Sequence, residues 1–272
     1  DNNVFNLAIK GNFDDCQNLV KSMFSDKEFS SSINMSGVNS INWARIIAQT
    51  VYYFYTYFLL NIDNKINFSV PTGNFGDVYA GYLSKKMGLP IDKLIVATNQ
   101  NDILHRAITN GKYEAEAVVE TTSPSMDIQI ASNFERLIYD LNNQNDAETN
   151  KIMLEIKENG KFIISKEKLL KIKKDFLSAS IKETEVLSVI KEIYEKYKVI
   201  LDPHTAIGFS ATNIKDLEGD IVALATAHPC KFPDAIERSI HTKPDLPNEL
   251  KYIMDDKEIY DIIPNNLNKV KQ

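Results

Sequence analysis

Ile66 to Asn99 reads INFSVPTGNFGDVYAGYLSKKMGLPIDKLIVATN, and this stretch decides the fold. INFSVPTG and KLIVATN are apolar runs of strand length, rich in β-branched residues. Between them, GNFGDVYAGYLSKKMG passes from a glycine-bearing turn into helical spacing. A strand, a turn, a helix and a second apolar strand in about thirty residues predict a βαβ unit and a parallel sheet. The turn itself, Pro71-Thr72-Gly73-Asn74-Phe75-Gly76-Asp77, is the strongest local signal. Gly73 and Gly76 allow successive N–H groups to point at one spot, and the helix adds its positive end, which together make a phosphate cradle. Spacing alone serves an ordinary strand-to-helix turn equally well. Asp77 is awkward beside an anion, but the first turn stabilises its carboxylate, which can face away.

Upstream, VFNLAIKG alternates as a half-buried strand does, and FDDCQNLVKSMF has helical spacing. From about Asn42 to Leu60 the chain is apolar on most faces, which predicts a helix enclosed by protein. Its segment Ile46 to Leu60 is short for a membrane span and carries Gln49, Thr50 and Thr56. Asn42 as N-cap puts Arg45 near the positive end of that helix. Either a bound oxyanion or a carboxylate elsewhere would relieve the mismatch.

Downstream, FERLIYDL, KIMLEIKENG, KEKLLKIKKDFL and VLSVIKEIYEKY are amphipathic, so the stretch 121–200 reads as a helical insertion between 1–120 and 201–272. The lysines from Lys166 to Lys174 read as a solvated helix face. DPHTAIGFSATNI predicts a helix capped by Asp202 with Pro203 in its first turn. IVALAT then returns as a strand. Its end, Ala225-Thr226-Ala227-His228-Pro229, falls where open parallel sheets place ligands. His105, His204 and His241 are scattered without carboxylates at ligand spacing, so no metal site is expected.

With 272 residues, 43% hydrophobic and 25% charged, the chain can bury a full core. A net charge of −6 argues against phosphate neutralisation on nucleic acid and favours a small-molecule ligand. Cys16 and Cys230 suggest no disulfide framework, which fits a reducing, cytoplasmic setting. The chain opens at Asp1 with neither methionine nor a secretion signal, and reads as a piece of something longer.

GNFDDCQNLVK, VNSINWARIIAQ, VPTGNFGDVYAGYLSKKMGLP, IVATNQND, SPSMDI, DPHTAIG and ATAHPCKF, in this order, resemble the threonine synthase family of the longer, microbial and fungal type. The resemblance implies the tryptophan-synthase β-like fold type II of pyridoxal 5'-phosphate enzymes: an α/β fold with an open parallel sheet and helices on both faces. It implies that the cofactor phosphate sits on Gly73, Asn74, Phe75, Gly76 and the N–H of Asp77, and that Thr226 faces the pyridine nitrogen. Asn39, Ser40 and Arg45 match the pocket for the substrate phosphate, which suits the planar donor fork of arginine. The implied reaction converts O-phospho-L-homoserine and water to L-threonine and phosphate. The family's Schiff-base lysine lies in an N-terminal Phe-Lys segment, and a Ser-Gly-x-Thr-Gly type loop holds the amino-acid carboxylate; neither motif occurs here. The resemblance gives Lys231 no such role. The expectation is therefore no catalytic lysine in this chain, a missing N-terminal portion as partner, and no activity for the chain alone. A non-catalytic phosphoryl-ligand binding homologue is the alternative. A dinucleotide-binding domain fits less well, because the Gly-x-x-Gly spacing lacks that fingerprint.

Overall fold

The computed structural model describes 3–11, 13–39, 41–215 and 217–272, without the side chains of 13, 14 and 253–255. In chain order the strands are β1 (Leu7–Lys10), β2 (Ile66–Pro71), β3 (Ile91–Thr98), β4 (Lys112–Glu114), β5 (Lys161–Ile163), β6 (Phe176–Ser180), β7 (Ile221–Ala223) and β8 (Asp261–Pro264). The first six α-helices are α1 (Phe13–Ser25), α2 (Lys27–Ser32), α3 (Trp43–Leu60), α4 (Gly76–Lys86), α5 (Ile103–Asn110) and α6 (Phe134–Leu141). The others are α7 (Asp146–Asn159), α8 (Lys166–Asp175), α9 (Glu183–Tyr197), α10 (Pro203–Ser210), α11 (Pro233–Ile240) and α12 (Leu267–Val270).

The chain divides into two compact units, 39–245 and 1–38 with 246–272. In the smaller unit β1 pairs in parallel with β8, Leu7 opposite Asp261. Asp26 caps α2 by accepting from the Phe29 N–H at 3.1 Å, and it also takes a hydrogen bond from Lys271.

In the larger unit the expected β2–α4–β3 crossover is present within a four-stranded parallel sheet of order β6-β3-β2-β7. Every residue of β2 is buried, as a central strand covered on both faces requires. Period-two alternation along β3 distributes its side chains between two cores. Leu94 and Val96 join Phe68, Val70 and the apolar residues of α4 and α5. Ile95 and Ala97 join Val186 and Ile190 of α9, Ala206 and Ile207 of α10, and Ile236 of α11. Helices therefore cover both faces of the sheet.

Close helix packing depends on Gly81 of α4. A Cβ there would stand 2.6 Å from Tyr53 Cε1 and 2.8 Å from Leu94 Cδ2, and Tyr53 is fully buried with its ring 4.9 Å from that of Phe68. Gly81→Ala is expected to cost about 1–3 kcal/mol by overpacking, read as a lowered midpoint of thermal unfolding. An unchanged midpoint would show that the α3–α4 contact can yield.

Two expectations need correction. First, α3 is not enclosed by the described residues: Ile46, Thr50 and Tyr53 are buried, whereas Val51, Tyr52, Tyr55, Phe58 and Leu59 are more than half exposed. Apolar composition sets what a helix can bury but not how many neighbours cover it. Second, KEKLLKIKKDFL is not one helix, because α8 ends at Asp175 and Phe176 opens β6, the edge strand paired with β3. The stretch 121–200 thus supplies four α-helices and also β5 and β6. FLSAS carries no β-branched residue, so local propensity gave little sign of a strand. Among the described residues, no helix is long and apolar enough to cross a membrane.

Candidate functional site

A cleft of about 680 Å³ lies at the C-terminal ends of β2 and β7, within the larger unit. Arg45, Thr72 to Asp77, Ser125, Met126, His204, Leu224 to Ala227, Lys231 and Phe232 are among the residues lining it. Segments far apart in sequence meet there because β2 and β7 are neighbours, with Ser69 opposite Ala223.

Neither Gly73 nor Gly76 of the cradle adopts a positive φ. Among the described residues the positive-φ glycines are Gly88, Gly111, Gly160 and Gly219. The left-handed residue of the turn is Phe75, at φ +66° and ψ +8°. That conformation costs a residue with a Cβ about 1–2 kcal/mol. Burial offsets it, since the Phe75 ring is closed from solvent, 5.2 Å from Phe134 and 5.7 Å from Phe176. Gly73 is needed for close approach: a Cβ there would lie 2.8 Å from the Ser125 carbonyl oxygen and 3.1 Å from Met126 Cα.

The segment that Gly73 touches is held by a polar network. Asp127 Oδ1 accepts from Asn99 at 2.7 Å, Thr121 Oγ1 at 2.7 Å and Asn101 at 3.0 Å, and Oδ2 accepts from the Thr121 N–H at 2.8 Å. These contacts fix the chain on either side of Ser125 and Met126.

Helix α4 begins at Gly76 with no side-chain cap. Its first intrahelical bond runs from the Tyr79 N–H to the Phe75 carbonyl at 3.1 Å. The first-turn N–H groups therefore have no carbonyl partner within the helix and add to its positive end. Asp77 stands in that turn, with the Tyr53 hydroxyl donating to its carbonyl oxygen at 2.8 Å and to Oδ1 at 3.2 Å. Burial pushes the Asp77 carboxyl up to about 6, against the lowering by the Tyr53 hydrogen bond.

The other sequence-derived candidates fall as follows. Arg45 is the third residue of α3, whose N-cap Asn42 accepts from the Ala44 N–H, and it lines the cleft. Asn39 is exposed, its Oδ1 accepts from the Ile41 N–H at 3.1 Å, and it is not among the lining residues. Ser40 lies outside the described residues. Thr226 lines the cleft, and its backbone N–H donates to Thr205 Oγ1 at 3.3 Å. Among the described residues no group of three or more His, Cys, Asp and Glu could hold a metal ion.

Reading the histidines as scattered missed His204. Asp202 caps α10 by accepting from the His204 N–H at 2.9 Å, and the same Oδ1 lies 3.1 Å from His204 Nδ1. Burial works to raise the Asp202 carboxyl, but the hydrogen bonds from His204 and Thr205 hold it below its ordinary value. An aspartate N-cap followed two residues later by histidine was the available signal.

Over 99% of its length the chain is 44% identical to the threonine synthase of Pseudomonas aeruginosa, covering 58% of that relative. The chain belongs to the threonine synthase family. A family model described as threonine synthase, C-terminal, matches residues 205–272. Identity to the threonine synthase of Saccharomyces cerevisiae is 46% over 92% of the chain and 54% of that relative. The fold is that of solved threonine synthases. The crystal structure of PLP bound threonine synthase from Brucella melitensis matches with a TM-score of 0.89 and 47% identity, over 99% of this chain and 58% of that one. The chain thus spans between 54% and 58% of the length of these relatives.

Proposed function

We propose that this cleft holds pyridoxal 5'-phosphate and that the chain serves the threonine synthase reaction, converting O-phospho-L-homoserine and water to L-threonine and phosphate. The observation carrying this reading is the uncapped start of α4, which opens into a cleft that Arg45 and Thr226 also line. In this reading the N–H groups from Gly73 to Asp77 hold the cofactor phosphate. Arg45, with Asn39 and Ser40, meets the phosphate of the substrate. Bound there, the cofactor supplies an electron sink for bond breaking at the amino-acid carbons. Thr226 offers the ring nitrogen a neutral hydrogen bond, since a threonine hydroxyl is far too weak an acid to give up a proton there.

The amine that anchors the cofactor belongs, in this proposal, to a lysine outside these 272 residues, and the chain is inactive without it. The reaction is assigned to the cytoplasm. Borohydride reduction of the full-length protein with pyridoxal phosphate, followed by peptide mapping, should yield a labelled lysine outside this sequence. A labelled lysine within it, Lys231 included, would overturn that assignment. Binding of inorganic phosphate in the cleft without any lysine-linked pyridoxal absorption in the complete protein would favour a non-catalytic phosphoryl-ligand binding homologue.

The two anion sites should separate by mutation. Arg45→Ala is expected to raise KM for O-phosphohomoserine about tenfold or more while leaving cofactor retention near wild type, as loss of one charge-assisted contact implies. Gly76→Val should do the reverse, because a side chain in the first turn would crowd the cofactor phosphate. Equal loss of both functions in Arg45→Ala would assign that residue a structural role.

A further inference from the structure

His204 has a buried nitrogen that the proposed reaction does not use. Its side chain is 5% exposed and the residue lines the cleft, yet Nε2 is closed to solvent and has no hydrogen-bond partner. The other ring nitrogen fixes the tautomer. Asp202 Oδ1 is an acceptor 3.1 Å from Nδ1, so Nδ1 carries the proton and Nε2 of the neutral ring is left as an acceptor. Buried polar atoms are rarely left unpaired, because losing water without replacement is costly.

The same aspartate ties this ring to the cleft wall. Thr205 Oγ1 donates to Asp202 Oδ2 and accepts from the Thr226 N–H at 3.3 Å. His204 and Thr226 are therefore anchored to one carboxylate, on a wall that also includes Phe232, whose ring centroid is 4.7 Å from that of His204.

We propose that the molecule bound in this cleft donates a hydrogen bond to His204 Nε2, with Phe232 moving aside, so that Asp202 and His204 form a proton-accepting pair of the site. The inference rests on the reading of the cleft as a pyridoxal phosphate site.

These 272 residues hold four histidines, and uniform nitrogen-15 labelling of the full-length protein reports both histidine ring nitrogens and backbone amides. The His204 ring is assigned as the histidine resonance that disappears in His204→Gln. Before ligand is added, the His204 ring should show the Nδ1–H tautomer. On titration with pyridoxal 5'-phosphate, its Nε2 resonance should move towards a hydrogen-bonded or protonated nitrogen, in step with the backbone amides of Gly76 and Asp77. Affinity for pyridoxal phosphate in His204→Gln should fall about tenfold, the worth of one such bond. Movement of the cradle amides with an unchanged His204 ring would overturn this inference alone. Saturating ligand that moves neither would overturn both this inference and the cofactor reading beneath it.

Discussion

Replacing Gly73 with alanine is expected to lower the affinity of the cleft for pyridoxal phosphate by about tenfold to a hundredfold, with a stability loss of about 1–3 kcal/mol. The added Cβ would come within 2.8 Å of the Ser125 carbonyl oxygen and 3.1 Å of Met126 Cα, both backbone atoms. A flexible side chain could swing away from such a contact, but this backbone is held by the four hydrogen bonds that Asp127 accepts from Asn99, Asn101 and Thr121. The cradle must therefore give way instead, which shifts the N–H groups of 73–77 that are proposed to hold the phosphate. Isothermal titration with pyridoxal phosphate, alongside thermal unfolding of the same samples, measures both effects. A folded Gly73→Ala protein with wild-type affinity would mean that the turn does not hold the phosphate.

Asp77 should make stability depend on pH in the opposite sense to a salt-bridged carboxylate. Burial raises its folded-state value to about 6, from an ordinary 3.8. The folded protein thus binds this proton more tightly than the unfolded chain. The stabilisation is complete below the ordinary value and is lost as pH rises through about 6. Two units correspond to about 3 kcal/mol as an upper bound. Asp77→Asn removes this dependence and keeps an oxygen that can accept from Tyr53. The variant should therefore be less sensitive to pH between 4 and 8 and more stable than wild type at pH 8, by up to about 2–3 kcal/mol. It should also bind inorganic phosphate several-fold more tightly at pH 8, because a negative charge beside the cradle is gone. Parallel stability curves for the two proteins across that range would show that Asp77 does not titrate there.

The central crossover was legible because LIVAT reads as an apolar run and INFSVP as a strand leading into the glycine-bearing turn. Asn67 and Ser69 of that strand are buried with hydrogen bonds to the Glu218 and Gly208 carbonyls. The N-caps Asn42 and Asp202 were legible for a similarly local reason: each side chain satisfies N–H groups within its own next turn. Edge strand β6 was hidden, since FLSAS owes its extended form to pairing with β3 rather than to propensity. The left-handed residue of the cradle, Phe75, was not legible, because local sequence favours glycine at positive φ. Only the contacts with Phe134 and Phe176 make that conformation tenable for Phe75. His204 read as one scattered histidine, since neither the burial of Nε2 nor the link from Asp202 through Thr205 to Thr226 is a local property.

By itself the sequence determined the strand–cradle–helix unit, the capped helices that carry Arg45 and His204, and the ordered motifs of the threonine synthase family. These follow from periodicity, capping and short-range backbone chemistry, which act within a few residues. The resemblance implied that Arg45, Gly73 to Asp77 and Thr226 serve one site; tertiary structure brings them to one cleft and adds His204 to its wall. Parallel pairing of β2 with β7 forces that convergence, because it sets their C-terminal ends side by side however much chain intervenes.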